Sequence, residues 1–190
     1  MIRLFVAVPL PDEIQDRVAW LCGGLTHARW VDAENFHITL RFIGEVDESR
    51  FDDIDMALSV VRAPGFPLKL SGIDSFGNNS GVRAVWVGIE REPALFHLRD
   101  KVESALVRAG VTPETKKFKP HVTLTRSRQR IDQRLGEFIQ RHSLFQAGPF
   151  PVTEFTLFSS FLSQSGSIYT PERIYPLARV EQALTALQGG

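Results

Sequence analysis

The chain has 190 residues, 43% of them apolar and 14 of them Phe, which is enough to form an ordinary hydrophobic core. Its 22 basic and 22 acidic residues balance, so net charge does not hold the protein on nucleic acid or on a membrane. The single cysteine, Cys22, excludes an internal disulfide framework and indicates a reducing compartment. The apolar run at the start is interrupted by Arg3 and stopped by Pro9, too short for a signal peptide or a membrane span. We therefore expect a cytoplasmic protein without membrane association.

Strands and helices alternate in the first part of the chain, as the hydrophobic periodicity and the Pro and Gly positions indicate. The predicted elements are a strand at 2–8, a helix from 11 to about 25, a strand at 36–43, a helix from about 48 to 63 and a strand at 66–74. A loop is expected at 76–81, because this segment is rich in Gly, Asn and Ser.

The pattern restarts after this loop. The predicted elements are a strand at 82–90, a helix at 93–109, a strand at 121–126, a helix containing Ile131 and Leu135, two strands near 150–161 and 167–178, and a short terminal helix. The order of strand, helix and strand therefore occurs twice, and no Pro/Gly/Ser-rich linker divides the chain. We infer an α+β fold made of a duplicated, two-lobed unit, with mostly antiparallel sheets around a central cleft and helices on the outer faces. Residues 1–190 are expected to form a single domain.

Two of the predicted strands carry the same tetrapeptide pattern: His37-Ile38-Thr39-Leu40 and His121-Val122-Thr123-Leu124. Side chains alternate between the two faces of a strand, so the His and the Thr of each copy share one face and the aliphatic residues share the other. A cleft between the two halves would collect both motifs. The alternative is two unrelated strands, each with an exposed His.

Two histidines that face one substrate suit displacement at phosphorus. One imidazole takes a proton from the entering water and the other gives a proton to the leaving oxygen, because histidine titrates near neutrality. The hydroxyls of Thr39 and Thr123 would bind the non-bridging oxygens. This chemistry requires no metal, and a zinc site is disfavoured because the chain lacks a Cys pair and short-spaced His ligands. The sequence also lacks a Gly-x-Ser-x-Gly elbow and the glycine patterns of nucleotide cofactors, so no cofactor is expected.

The arginine that would bind the phosphate is ambiguous at this point. Arg41 shares strand parity with the first motif, whereas Arg126 is out of phase with the second unless a bulge after Leu124 turns it towards the cleft. The stretch from Lys116 to Arg134 is the clear basic patch of the chain and is a candidate for contact with an RNA backbone. The remaining histidines are expected to be structural or on the surface: His27, His97 and His142.

The sequence resembles the two-histidine phosphoesterase superfamily and, within it, the RNA 2′,3′-cyclic phosphodiesterases, also called 2′-5′ RNA ligases. The resemblance covers nearly the whole chain, and the segments that carry it are Arg3-Leu-Phe-Val-Ala-Val-Pro-Leu10, Trp30-Val, Glu34-Asn-Phe-His-Ile-Thr-Leu-Arg-Phe-Ile-Gly-Glu45, Trp86-Val-Gly88, Phe118-Lys-Pro-His-Val-Thr-Leu-Thr-Arg126 and Phe155-Thr-Leu-Phe with Tyr169.

This resemblance implies hydrolysis of a 2′,3′-cyclic phosphate to a 2′-phosphomonoester without a metal. It implies that His37 donates the proton to the leaving 3′ oxygen, that His121 accepts the proton from water, and that Thr39, Thr123 and Arg126 bind the phosphate. The expected ligands are RNA ends or small cyclic nucleotides, and the protein is expected to be a monomer without a protein partner. Two alternatives stay open at this point, a 2′-5′ RNA ligase that acts on tRNA halves and a non-catalytic nucleotide- or RNA-binding module.

Overall fold

The structure is a computed structural model that describes residues 1–78, 81–126, 134–162 and 167–179. The helices are Asp12–Ala19 (α1), Phe51–Ser59 (α2), Pro93–Arg108 (α3) and Leu135–Arg141 (α4). The strands are Ile2–Pro9 (β1), Arg29–Trp30 (β2), His37–Val46 (β3), Phe66–Asn78 (β4), Gly81–Ile89 (β5), His121–Arg126 (β6), Gln146–Val152 (β7), Glu154–Leu162 (β8) and Ser167–Pro176 (β9). The predicted α+β class is confirmed.

Several predicted boundaries were wrong. The first helix ends at Ala19 rather than near Leu25, because the chain turns at Gly23 and Gly24, where Gly24 has a φ of +78°. The expected loop at 76–81 is largely strand, since β4 extends to Asn78 and β5 begins at Gly81. The strand expected near 150–161 is two strands, β7 and β8, separated at Thr153. Ile131 and the expected terminal helix lie outside the described residues.

All the strands belong to one sheet, in which the two motif strands lie side by side at the centre. The strand order is β7-β4-β5-β6-β3-β1-β8-β9, β2 adds to β6, and every named pairing is antiparallel. On one side of the central pair β3 is followed by β1, β8 and β9, and on the other side β6 is followed by β5, β4 and β7. The two halves of the sheet therefore have the same arrangement about the centre, which confirms the duplicated unit.

The strand predicted at 66–74 is present, but it does not lie in the half of the sheet where the sequence pattern places it. The sequence pattern placed this strand with the first motif, but β4 pairs with β5 and β7 in the half that contains the second motif. In exchange, the strands β8 and β9 from the end of the chain complete the half that contains the first motif. Local periodicity identifies a strand but does not identify its pairing partner, because pairing depends on contacts between distant segments.

The helices cover the face of the sheet that carries the aliphatic residues of the motifs. Ile38 and Val122 are fully buried, and they belong to the same apolar cluster as Ile54 and Leu58 of α2 and Leu98 of α3. The His and Thr side chains point to the opposite face, because side chains alternate along a strand. Within the described ranges, none of the helices has the length and the apolar character needed to cross a membrane.

Gly88 allows a close approach of two strands next to the second motif. It lies directly opposite His121 in the β5–β6 pairing, and a Cβ at this position would be 2.6 Å from the carbonyl oxygen of Ser71 in β4. This distance is shorter than any ordinary contact between a carbon and an oxygen atom. The position therefore requires glycine for the spacing of β4 and β5.

We expect Gly88→Ala to lower the free energy of unfolding by about 1–3 kcal/mol, because the added methyl group forces β4 and β5 apart. Urea unfolding measures this change. Gly136→Ala is the matched control, since Gly136 lies in α4 with no other atom within 4 Å of the new Cβ. The control should be neutral or stabilising, because alanine favours a helix. Equal unfolding free energies for the two variants would contradict the close approach.

Candidate active site

The central strand pair brings the two motifs together. Ile38 of β3 lies opposite Val122 of β6 in antiparallel register. This is the one residue pair of the β3–β6 bridge, and its register sets His37 level with Thr123 and Thr39 level with His121. Directly opposed side chains in such a pair have their Cβ atoms about 4.5–5.5 Å apart. The two His and the two Thr therefore form one group on a single face of the sheet, related by the approximate twofold symmetry of the pair.

A bulge follows the second motif and changes the parity of β6. Trp86 of β5 is opposite Thr123 but its neighbour Val85 is opposite Thr125, so β6 contains one extra residue at this point. Leu124 and Thr125 are consequently both buried. Arg126 returns to the face that carries the second motif, where its side chain is exposed.

The first motif is followed by the same irregularity. In the β1–β3 pairing Ala7 is opposite Thr39 and Val6 is opposite Arg41, so β3 also contains one extra residue. The structure therefore turns Arg41 towards the core, where its side chain is only 7% exposed. Phe42 takes the place that Arg126 has in the second half. Its ring is 43% exposed, and the guanidinium carbon of Arg3 lies 5.1 Å from the ring centroid.

Arg41 is held by partners in the core. Its Nε donates to Oε2 of Glu103 in α3 at 2.5 Å, and its terminal nitrogens donate to the carbonyl oxygens of Phe42 and Thr112. The other carboxylate oxygen of Glu103 accepts from the backbone N–H of Glu114 at 2.8 Å. A buried cation with this set of partners stabilises the position of α3 and its following loop. Simple strand parity favours Arg41 as the phosphate ligand because it assumes a regular strand. The bulge in β3 breaks this alternation and turns the side chain of Arg41 into the core.

Both motif histidines are fixed in the same orientation by a backbone carbonyl two residues earlier. Nδ1 of His37 is 2.7 Å from the carbonyl oxygen of Asn35, and Nδ1 of His121 is 2.7 Å from that of Lys119. A carbonyl oxygen only accepts hydrogen bonds, so Nδ1 carries a proton in both residues. In each residue Nε2 is therefore the ring nitrogen that remains able to accept a proton or to give one up.

Aromatic rings surround His37. Its ring centroid is 4.9 Å from that of Phe5, 5.2 Å from that of Tyr169 and 6.3 Å from that of Phe158. Tyr169 meets the imidazole edge to face at 89°. These rings come from β1, β8 and β9, so the strands from both ends of the chain build the wall around this histidine.

His121 has an aromatic wall of its own and a nearby cation. Its ring centroid is 4.9 Å from that of Phe76 and 5.6 Å from that of Trp86. Nζ of Lys119 lies over the same two rings, 4.4 Å from the centroid of Trp86 and 5.2 Å from that of Phe76. The amine is also 3.8 Å from a carboxylate oxygen of Asp74. The two histidines therefore differ in their electrostatic surroundings, although the motifs are alike.

Burial lowers the pKa of both histidines, since the charged imidazolium is poorly solvated among aromatic rings. The pKa of His37 is lowered to about 4, by burial first and then by the positive charges of Arg126 and His121. The pKa of His121 is also lowered, by burial first and then by Arg126 and Lys119. Arg126 acts on both imidazoles, so its guanidinium lies within electrostatic reach of the whole group.

Sequence reasoning did not assign the residues that surround the histidines. Phe5 and Phe158 lie in predicted strands, but their contact with His37 depends on the order of strands in the sheet. Phe76 lies in the segment that the sequence predicts to be a loop, and nothing in the sequence gives Lys119 a role beyond the basic stretch. Phe5 and Ala7 are two residues apart in β1, so the sequence predicts that their side chains share one face of the strand. Only the pairing of β1 with β3 shows that this face is the one that carries His37.

The remaining histidines, which the sequence predicts to be structural or on the surface, lie outside this group. His97 lies on α3 beside a separate surface concavity, His142 follows α4 with its ring 4.7 Å from that of Phe138, and His27 has a positive φ of 60° in a loop. Arg128 and Arg130 of the basic stretch lie outside the described residues. In the ranges that the structure covers, no three His, Cys, Asp or Glu side chains converge in a way that would hold a metal ion.

Comparison with known proteins identifies the class. The family model described as LigT like Phosphoesterase matches the chain twice, over residues 8–86 and 87–169. Each match covers one copy of the motif, and together they span most of the chain. The protein therefore belongs to the LigT-like phosphoesterase family, as the resemblance in the sequence predicted.

The curated relatives of the chain have names that specify an activity. The RNA 2′,3′-cyclic phosphodiesterase of Archaeoglobus fulgidus is 32% identical over 176 residues, which cover 91% of this chain and 99% of the relative. The enzyme of the same name from Escherichia coli strain K12 is 32% identical over 184 residues, or 93% of this chain and 97% of the relative. These relatives support a phosphoesterase that acts as a hydrolase.

Solved structures agree with this result. The crystal structure of E.coli LigT complexed with 3′-AMP has a TM-score of 0.76 and 30% identity, and the match covers 93% of this chain and 98% of that one. A crystal structure described as a phosphoesterase has a TM-score of 0.77 and 29% identity over the same shares of the two chains. The fold is therefore shared over nearly the whole length.

We expect the lowered pKa of His37 to make the protein less stable as the pH falls from about 6.5 to about 4. The unfolded chain binds a proton at His37 in this range, whereas the folded protein does not, so protonation favours unfolding. The free energy of unfolding measured by urea at several pH values should fall through this window. A His37→Gln variant should show a smaller decrease. An identical pH dependence for the variant and the parent would contradict the lowered pKa.

We expect Arg41→Met to lower stability and Arg126→Met to lower activity. Arg41→Met leaves the carboxylate of Glu103 unpaired in a site where it is only 14% exposed, and it should cost about 3–5 kcal/mol of stability. Arg126→Met removes an exposed cation and should change stability by less than about 0.5 kcal/mol, while lowering phosphodiester turnover by about a hundredfold. Urea unfolding and initial rates measure the two effects. Full activity in Arg126→Met would show that the guanidinium does not act on the substrate.

Proposed function

We propose that this protein is an RNA 2′,3′-cyclic phosphodiesterase that opens the cyclic phosphate to a 2′-phosphomonoester by acid and base catalysis from His37 and His121. The observation that carries the proposal is the pairing of Ile38 in β3 with Val122 in β6, which brings both motifs to the centre of the sheet. The charges of His121 and Arg126 act on His37, in agreement with this arrangement. The names of the curated relatives support the same substrate class. Residues 1–190 are proposed to act as one domain, since both halves share one sheet.

The proposed reaction is a displacement at phosphorus in which His121 is the base. Nε2 of His121 takes a proton from a water molecule, and the water oxygen forms a bond to phosphorus. A base must start neutral, and burial together with Lys119 and Arg126 favours the neutral imidazole of His121. The roles of the two histidines follow the family resemblance, and the position of Lys119 beside His121 agrees with them.

His37 is the proposed acid. The bond between phosphorus and the 3′ oxygen breaks, and Nε2 of His37 gives its proton to that oxygen, which leaves a 3′-hydroxyl and a 2′-phosphomonoester. The free enzyme holds His37 neutral near pH 7 because its pKa is about 4. A bound phosphodiester carries a negative charge beside the imidazole and raises its pKa. Substrate binding and protonation of His37 are therefore coupled.

The phosphate ligands are proposed to be Thr39, Thr123 and Arg126. The two hydroxyls lie on the two strands of the central pair, and in the proposal they donate hydrogen bonds to the non-bridging oxygens, where charge increases in the transition state. The guanidinium of Arg126 supplies a positive charge and a planar set of donors for the same oxygens. The proposed mechanism requires no metal ion, because the two imidazoles carry out both proton transfers.

The proposal predicts turnover of a 2′,3′-cyclic nucleotide in the presence of EDTA, with the 2′-phosphate as the product, which chromatography against both monophosphate standards identifies. His37→Ala and His121→Ala should each lower turnover by at least about a hundredfold, since each removes one of the two proton-transfer groups. His97→Ala is the matched control, because His97 is exposed on α3 away from the motifs. It should retain the parent rate.

The outcomes of this experiment separate the alternatives. Exclusive formation of the 3′-phosphate, or loss of turnover in EDTA that a divalent metal restores, would contradict the mechanism. Tight binding of RNA without any product would favour a non-catalytic module. In the ligase alternative, a 5′-hydroxyl of a second RNA replaces water as the nucleophile and opens the same cyclic phosphate with release of the 3′-hydroxyl. Accumulation of 2′-5′-joined RNA would favour this ligase.

A further inference from the structure

Asp74 and Lys119 form a charged pair beside the second motif. Asp74 lies on β4, directly opposite Trp86 of β5. Trp86 is in turn opposite Thr123 of β6, so these three residues form a row across three strands. Directly opposed side chains in antiparallel strands point to the same face of the sheet. Nζ of Lys119 is 3.8 Å from Oδ2 of Asp74, and the pair therefore lies on the face that carries His121.

The carboxylate of Asp74 is oriented by the backbone of its own strand. Its Oδ1 accepts a hydrogen bond from the backbone N–H of Ser75 at 2.7 Å, and its Oδ2 is the oxygen that faces the ammonium of Lys119. A carboxylate that is already held at one oxygen loses less side-chain entropy when it pairs with a cation. The backbone therefore prepares Asp74 to hold an ammonium group at this position.

Lys119 is tied to the surroundings of His121 at both ends. Nζ lies 4.4 Å from the ring centroid of Trp86 and 5.2 Å from that of Phe76, within the range of cation–π attraction. The same two rings pack on the imidazole of His121. The backbone carbonyl of Lys119 accepts from Nδ1 of His121 at 2.7 Å, and Pro120 between them restricts the backbone.

The equivalent residue in the first half of the sheet is neutral. The carbonyl that accepts from Nδ1 of His37 belongs to Asn35, which occupies the place of Lys119 relative to its motif. A positive charge beside an imidazole disfavours the protonated form. The ammonium of Lys119 therefore distinguishes the surroundings of His121 from those of His37, although the motifs are alike.

The charged and titratable groups around His121 come from the strands next to it and from the segment before β6. They are Asp74, Lys119, Arg126, the imidazole of His37, and Lys69 in its 2.9 Å ion pair with Glu90. Burial is the first cause of the lowered pKa of His121, followed by the charges of Arg126 and Lys119. The carboxylate of Asp74 is not one of these causes, so its effect on His121 passes through Lys119.

We propose that Asp74 is a positioning residue that holds the ammonium of Lys119 beside His121, and that this ammonium keeps the imidazole neutral to lower pH. The inference rests on the proposed function, in which His121 is the base and must start without a proton. Asp74 takes no part in the proton transfers. It acts on the base through the position of Lys119.

The test is a proton NMR titration of the imidazoles in the free protein, in which the spectrum of His121→Gln identifies the signal of His121. Lys119→Met should raise the proton-binding constant of His121 about threefold, the size expected for one charge that is more than half exposed. Lys119→Arg should keep the parent value. The difference between Lys119→Met and the parent should shrink in about 1 M salt, because screening is then effective beyond about 3 Å. A purely structural effect would persist.

Asp74→Asn tests the positioning role. The amide keeps an oxygen for the N–H of Ser75 and loses the charge that faces Lys119. The change should raise the proton-binding constant of His121 about 1.5-fold, because the ammonium is then held less firmly. In the Lys119→Met background the same change should have no effect, since the group that Asp74 holds is gone.

Matched controls remove the same charges from α3. Lys101 and Asp100 line a concavity beside α3, on the face of the sheet that the helices cover. Lys101→Met and Asp100→Asn change the net charge by the same amounts, and they should leave the titration of His121 unchanged. Thermal unfolding of all the variants shows whether each is folded over the range of the titration.

Three results would overturn the inference. An unchanged titration in Lys119→Met would show that the ammonium does not act on His121, and an unchanged titration in Asp74→Asn would show that the carboxylate does not hold it. A lower proton-binding constant in Asp74→Asn, with or without Lys119, would show that the carboxylate acts on His121 directly. The titration needs no substrate, so failure of the parent protein to hydrolyse a cyclic nucleotide would contradict the proposed function and leave this test valid.

Discussion

The antiparallel pairing of β3 with β6 is the constraint on which the site depends. Each motif by itself supplies one histidine and one threonine, and neither strand contains both histidines. The pairing of Ile38 with Val122 places the histidine of each motif opposite the threonine of the other. A shift of one residue in this register would turn one motif towards the aliphatic core. Burial of Ile38 and Val122 therefore maintains the chemical face as well as the core.

The approximate twofold symmetry of the site ends immediately after the motifs. Both strands contain an extra residue at the same point, so the bulge itself is a symmetric feature. The side chains that follow differ, since the first half turns Arg41 into the core and presents Phe42, whereas the second half buries Thr125 and presents Arg126. One half thus contributes an aromatic surface and the other contributes a cation.

The aromatic walls around the histidines have an electrostatic effect as well as a packing effect. Phe5, Phe158 and Tyr169 keep water from His37, and this burial is the main cause of its low pKa. An anion that binds beside a buried imidazole raises its pKa, since the charged form is then better stabilised. If His37 is the acid, as we propose, its protonation is coupled to binding of the phosphodiester. The two ends of the chain cooperate here, because these rings lie on β1, β8 and β9.

The sequence by itself determined the α+β class, most of the strands and helices, and the two motifs, since these depend on side-chain alternation and on residue types that lie close together in the chain. The family resemblance predicts Arg126 rather than Arg41 as the phosphate ligand, and this stays a prediction. Only the tertiary structure decided that β4 joins the half of the sheet with the second motif and that Arg41 is held by Glu103. It also placed Phe5, Phe76 and Lys119 beside the histidines. These features depend on strand order, on bulges and on contacts between distant segments, and local periodicity contains no information about which strands pair.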